Sequence, residues 1–146
     1  MSKTTVLLAD DHKIVLEGLK GILENQYEII GAVEDGRELL EQAQKLHPDV
    51  IVVDIGMPLL NGIDAVTQIR KVRPNAKVVF LTMHQDAMYA KEAFEAGALG
   101  FVLKHSAPSE LKTAIEEALK GNTFISPVIA QELMHLYKGD GEIKAG

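Results

Sequence analysis

Four apolar runs in this chain are continuous rather than alternating: Val6-Leu7-Leu8-Ala9, Val50-Ile51-Val52-Val53, Val78-Val79-Phe80-Leu81 and Gly100-Phe101-Val102-Leu103. A strand that is apolar on both faces must be covered on both, which is the condition of a parallel sheet between helices. The segments between the runs have helical periodicity, with Val15, Leu19, Ile22 and Leu23 on one stripe, Leu39, Leu40, Ala43 and Leu46 on another, and Leu111, Ala114, Ile115, Ala118 and Leu119 on a third. Glu28 to Ala32 reads as one more strand. Five strand-helix units in succession predict an α/β fold built on a five-stranded parallel sheet.

Local signals place the ends of these elements. Asp35-Gly36 opens a helix and Pro48 ends it; Gly56, Pro58, Asn61 and Gly62 form a loop before a helix from about Ile63 to Val72. Gly97 is a left-handed cap for a helix over about 87–96, and Pro108 suits the first turn of the next. Gly121-Asn122 breaks that helix. Ser126-Pro127 starts a partly apolar one, and Lys138-Gly139-Asp140-Gly141 reads as linker. The expected division is a domain over 1–124 and a C-terminal helix and linker over 125–146.

The polar residues at the strand ends give this frame a chemistry. Asp10 and Asp11, Asp54, Thr82 and Lys104 each follow or close one of the four continuous runs, and the carboxyl ends of parallel strands converge on one crevice. Three carboxylates at one edge repel each other by ~4 kcal/mol per pair at 4 Å and an effective dielectric of 20, so a cation is expected among them. With no His or Cys at matching positions the donor set is all oxygen, which favours Mg²⁺ or Mn²⁺ over zinc. Lys104 supplies a point charge and Thr82 a hydroxyl for phosphate oxygens. Such a group fits phosphoryl transfer, with the central Asp54 as the nucleophile and Asp10 and Asp11 as metal ligands, directly or through water. Asp11 has a second possible use as a helix cap.

Other classes lose their support. The five histidines lack metal-ligand spacing, and no dinucleotide, nucleoside-triphosphate or serine-hydrolase motif is present. A net charge of −6 without a basic stripe argues against direct nucleic-acid binding. Zero cysteines suit a reducing cytoplasm. No secretory segment and no membrane-length apolar stretch occurs, so a soluble cytoplasmic protein without membrane contact is expected.

The motifs Leu8-Ala9-Asp10-Asp11-His12, Val53-Asp54-Ile55-Gly56-Met57-Pro58, Asn61-Gly62, Leu81-Thr82, Ala96-Gly97-Ala98 and Phe101-Val102-Leu103-Lys104 occur in an order that resembles the receiver domain of two-component response regulators, the CheY-like fold, across about residues 4 to 121. The resemblance implies a doubly wound, flavodoxin-like sheet of order 2-1-3-4-5. It implies Asp54 as phosphoacceptor, Mg²⁺ (or Mn²⁺) held by Asp10, Asp11, Asp54 and the backbone carbonyl of Gly56, phosphoryl oxygens bound by Thr82 and Lys104, and a switch made of Thr82 and Phe101. Gly100 to Lys104 together with Ile125-Ser126-Pro127-Val128-Ile129-Ala130 is similar to the NarL/FixJ (LuxR-type) subgroup, whose members continue into a helix-turn-helix DNA-binding domain. The expectation is a receiver fragment of a transcriptional regulator, with that DNA-binding domain absent from this chain.

The resemblance also implies a sensor histidine kinase as phosphodonor and a homodimer as one outcome of phosphorylation. Catalysis by the domain would be limited to its own phosphorylation and dephosphorylation. Two departures are visible. His105 stands where many receivers have proline, so a cis peptide is not expected there, and Phe101 lacks the hydroxyl of the tyrosine frequent at that position. Gly56 and His84 border the phosphoryl position by the same resemblance. A stand-alone receiver is the nearest alternative. A haloacid-dehalogenase-like phosphatase would need an acid two residues after Asp54, where Gly56 stands, and a flavin carrier would place acidic Asp10-Asp11 against its phosphate.

Overall fold

The computed structural model describes residues 3–57, 61–83 and 87–135. Five strands, β1 (Thr5–Ala9), β2 (Glu28–Val33), β3 (Val50–Asp54), β4 (Lys77–Thr82) and β5 (Gly100–Leu103), alternate with α1 (Lys13–Leu23), α2 (Gly36–Leu46), α3 (Gly62–Val72), α4 (Ala87–Glu95) and α5 (Ala107–Leu119). All strand pairs are parallel, in the order β2-β1-β3-β4-β5, as expected. A sixth strand, β6 (Phe124–Ile125), extends the edge beyond β5, with Gly100 opposite Phe124 and Phe101 opposite Ile125. Two residues are too few for any periodicity to announce them.

The continuous runs are buried on both sides. On one face Leu7, Ile51, Val53, Phe80, Phe101 and Leu103 pack with α2, α3 and α4. On the other, Val6, Leu8, Val52, Leu81 and Val102 pack with α1 and α5. Because α1 leaves β1 toward one face and α3 leaves β3 toward the other, the crevice of this doubly wound sheet opens between the carboxyl ends of β1 and β3.

The caps refine the expected boundaries. Asp35 accepts a hydrogen bond from the Glu38 backbone N–H at 2.8 Å and so starts α2. It is His47, in a left-handed conformation with φ 49°, that ends the helix one residue before Pro48. Gly97 has φ +105° and Gly121 φ +83°, the conformations their cap positions require. Residues 127–135 are helical. Ile129 from that stretch is fully buried in the α3/α4-side core, so this segment shares the core of the sheet. The 138–141 linker lies outside the described residues.

Candidate functional site

Local packing sets the depth of each carboxylate. β1 lies between β2 and β3, and its register carries Asp10 one residue past Ala9, where its N–H donates to the Val33 carbonyl at 3.0 Å. Asp10 is completely buried. Asp54 ends β3 opposite Leu81 and is 6% exposed. Above it α3 begins unusually close. A Cβ on Gly62 would stand 2.4 Å from the Asp54 carbonyl oxygen, and the Gly62 N–H donates to the Ile55 carbonyl at 3.0 Å. Only a residue without a side chain allows that approach.

Lys104 begins a 3₁₀ turn directly after β5 and reaches back across β4. Its Nζ lies 2.8 Å from Asp10 Oδ2 and 3.4 Å from Asp54 Oδ2, with the side chain 12% exposed. The Gly56 N–H donates to Asp54 Oδ1 at 3.2 Å. Thr82 ends β4 opposite Leu103 and is buried at the wall of the same cleft, of about 460 Å³, which Asp11, Asp54, Gly56 and Lys104 also line. All described peptide bonds are trans, including that before His105. His84 lies outside the described residues.

Asp10, Asp11, Asp54, Thr82 and Lys104 thus meet at one edge, and Phe101 does not join them. It is fully buried two residues back along β5, opposite Phe80. Since Thr82 follows Phe80 by two residues, Thr82 and Phe101 share one face of adjacent strands. The second use foreseen for Asp11 is not taken up. The residue at the start of α1 is His12, and no side chain caps that helix.

Charge at this edge is not balanced by the chain alone. Three carboxylates face one ammonium, an excess of two formal negative charges. Burial pushes the Asp54 carboxyl above the ordinary carboxylate range; Lys104 draws it down, Asp10 raises it, the Gly56 N–H lowers it, and the Asp11 carboxyl raises it again. Asp10 Oδ2 is buried and held by the Lys104 ammonium, and Asp11 Oδ1 is buried with only the His12 ring beside it. Donor atoms of Asp10, Asp11, His12 and Asp54 all lie within 4.8 Å of one another, a cluster of the right size for a metal ion.

His12 corrects one expectation, because a histidine does stand at a matching position. Its Nδ1 lies 3.1 Å from Asp11 Oδ1 and 3.3 Å from Asp10 Oδ1. Its adjacency to the Asp pair is the one signal for it in the sequence, but a residue next to a ligand along a strand normally points away. Only the turn into α1 brings it back.

Comparison with known proteins agrees with this geometry. Residues 6–116 match the response regulator receiver domain. The transcriptional regulatory protein DegU of Brevibacillus brevis is 33% identical over 139 residues, which cover 94% of this chain and 59% of DegU. A LuxR-family two-component response regulator from Aurantimonas has a crystal structure that superposes with a TM-score of 0.89 at 38% identity, covering 93% of this chain and 99% of that one. The isolated receiver domain of RcsB from Salmonella enterica, solved in the presence of the phosphomimetic BeF₃⁻, superposes with a TM-score of 0.81 at 29% identity, covering 89% and 98%. The chain spans about three-fifths of the length of the curated relatives it matches. With the sheet order, the acidic edge and the matched span in agreement, the chain belongs to the response regulator receiver domain family, and its relatives are regulators of the NarL/LuxR type.

Proposed function

We propose that this domain is the phosphorylation-dependent switch of a two-component system, receiving a phosphoryl group from a sensor histidine kinase on Asp54. The observation that carries the reading is the placement of Lys104 Nζ against both Asp10 and Asp54 at the mouth of the cleft. In that position the ammonium lies beside the carboxylate that would react and can follow charge onto the new phosphoryl group.

The donor set fits Mg²⁺ or Mn²⁺, held by Asp10, Asp11, Asp54 and the Gly56 carbonyl. The closeness of the carboxylate oxygens to one another and the excess of two negative charges support this. A bound cation would supply neutralisation of charge on the transferring group. The remaining steps belong to the chain. An Asp54 carboxylate oxygen attacks phosphorus in line, an O–P bond forms as the P–N bond of the donor phosphohistidine breaks, and the imidazole leaves with the bonding pair. Lys104 then turns from Asp54 Oδ2 to a phosphoryl oxygen, and the Thr82 hydroxyl donates to another.

Drawing Thr82 toward the phosphoryl group withdraws it from the face it shares with Phe101, and space for the ring changes there. Two packings of the β4–β5 edge then compete, and phosphorylation biases the pair. The output in the whole protein is control of a DNA-binding domain following this one, with homodimerisation through the rearranged face as one route, in the cytoplasm. Relatives named as transcriptional regulators support that output. No helix among the described residues is long and apolar enough to cross a membrane.

The test is incubation with acetyl phosphate and Mg²⁺, read by intact mass. One adduct of ~80 Da, the mass of a phosphoryl group, is expected for the wild-type chain and none for Asp54→Asn. An adduct that survives the substitution assigns the nucleophile elsewhere and refutes the reading. Gel filtration with and without the phosphodonor tests the dimer.

A further inference from the structure

We infer that Ser126 is a positioning residue of the phosphoryl site: its hydroxyl ties together both flanks of the turn that carries Lys104, and so fixes where the ammonium stands against Asp10 and Asp54. The inference rests on the reading of Asp54 as phosphoacceptor and extends the machinery of that site into the segment after α5.

Lys104 starts a 3₁₀ turn, Lys104–Ser106, between the end of β5 and the start of α5. Its side chain crosses β4 to put Nζ 2.8 Å from Asp10 Oδ2 and 3.4 Å from Asp54 Oδ2. The ammonium stands on a flexible four-carbon stem, so it follows any movement of the backbone beneath it. On one side that backbone is held by β4, where Thr82 stands opposite Leu103. On the other side β6 bonds β5 only part of the way. The Leu99 and Phe101 carbonyls accept from the Phe124 and Ser126 N–H groups at 2.9 Å each. The next group along that edge, the Leu103 N–H, lies past the end of β6.

The Ser126 hydroxyl supplies the missing rung, accepting from the Leu103 N–H at 3.0 Å. The same hydroxyl donates to Glu110 in the first turn of α5, and a bond to a carboxylate is charge-assisted. One buried oxygen thus joins the residue before Lys104 to the helix that follows it. This is not the usual use of a serine at a helix start. Ser126 precedes the helix over 127–135, and its carbonyl accepts from the Ala130 N–H at 2.9 Å. A hydroxyl there ordinarily bonds the first turn of its own helix; here its bonds go to β5 and α5. Groups that stabilise developing charge act only when held in place, and a displacement of ~1 Å can cost ~100-fold in rate.

The experiment uses the whole chain in two measurements. Acetyl phosphate with Mg²⁺, followed by intact mass, gives the phosphorylation rate of the folded protein. A ¹H–¹⁵N correlation of the lysine ammonium groups gives the proton exchange rate at Lys104, whose resonance is assigned by its absence in Lys104→Arg. Ser126→Ala is expected to slow phosphorylation about tenfold and to speed ammonium exchange until the Lys104 resonance broadens or disappears. Glu110→Ala, which leaves the Leu103 bond intact, should move both readings in the same direction by a smaller factor, and Glu110→Gln, which keeps an acceptor oxygen, should restore them. A purely structural role lowers stability alone: if the folded variants phosphorylate at the wild-type rate and keep the Lys104 resonance, the inference is overturned. A wild-type ammonium that exchanges too fast to observe overturns it too, since Lys104 is then not held. If the wild type takes up no phosphoryl group, the Asp54 reading falls, and the ammonium exchange by itself decides whether Ser126 fixes Lys104.

Discussion

Lys104→Met removes the single positive charge among three carboxylates while keeping most of the side-chain volume, so it isolates the electrostatic role of the residue. The contacts at 2.8 and 3.4 Å correspond to gross attractions of ~6 and ~5 kcal/mol at an effective dielectric of 20. Desolvation of the ammonium offsets several kcal/mol of this, and truncating one partner of such a buried pair typically costs ~3–5 kcal/mol because the remaining charge is left uncompensated. A loss of that size is expected at pH 8 without divalent cation, measured by urea unfolding. The pH dependence separates charge from packing. The Asp54 carboxyl is already raised by burial, and loss of Lys104 removes the largest influence that lowers it. A raised folded-state carboxyl favours the protonated form, so its penalty grows as pH rises from the unfolded value of ~3.9. The difference between wild type and variant should therefore shrink as pH falls to 4.5 and the raised Asp54 carboxyl takes up its proton. Adding Asp54→Asn to the variant should recover ~1 kcal/mol or more relative to additivity, since it removes one of the repelling groups. A cost below ~1 kcal/mol at pH 8, or a cost equal at the two pH values, refutes the claim that Lys104 balances buried charge.

Asp54→Asn alone should stabilise the cation-free protein at pH 8 and have little effect near pH 4, because the raised carboxyl costs stability only once it ionises; a net loss at pH 8 in urea unfolding would contradict this. Gly62→Ala should cost ~1–3 kcal/mol as an overpacked contact and slow phosphorylation by acetyl phosphate, since the new Cβ would stand 2.4 Å from the Asp54 carbonyl. Unchanged stability would mean that α3 can retreat without disturbing β3. Ser126→Ala should cost ~1–3 kcal/mol by chemical denaturation, because the buried Ser126 hydroxyl accepts from the Leu103 N–H at 3.0 Å and donates to Glu110.

Four of the five main strands were legible because their residues are apolar on both faces, and a run such as Val50-Ile51-Val52-Val53 suits a parallel sheet covered on both sides. That alternation also carried the site, since the strand ends fix which side chains meet. What escaped the reading depends on where a chain turns rather than on what it buries. Phe124–Ile125 is a strand only because its backbone reaches the open edge of β5. His12 is an active-edge residue only because the Asp10 carboxylate holds its N–H and reverses the chain. Hydrophobic periodicity carries no sign of either.

The segment after α5 has a consequence for how a signal would leave the domain. β5 contributes Lys104 to the cleft at its end, while its N–H and C=O groups hold the C-terminal segment. The Phe101 carbonyl accepts from the Ser126 N–H at 2.9 Å, the Leu103 N–H donates to Ser126, and Ile129 enters the core that contains Phe101. One strand of four residues therefore connects the proposed phosphoryl site with the chain leading toward the C-terminus. Any repacking of Phe101 must be accommodated by a strand whose outer edge is already bonded to residues 124–126. Stiffness at that edge is thus part of the energy difference between the two states, and the Ser126→Ala variant, by loosening it, should lower the barrier as well as the stability.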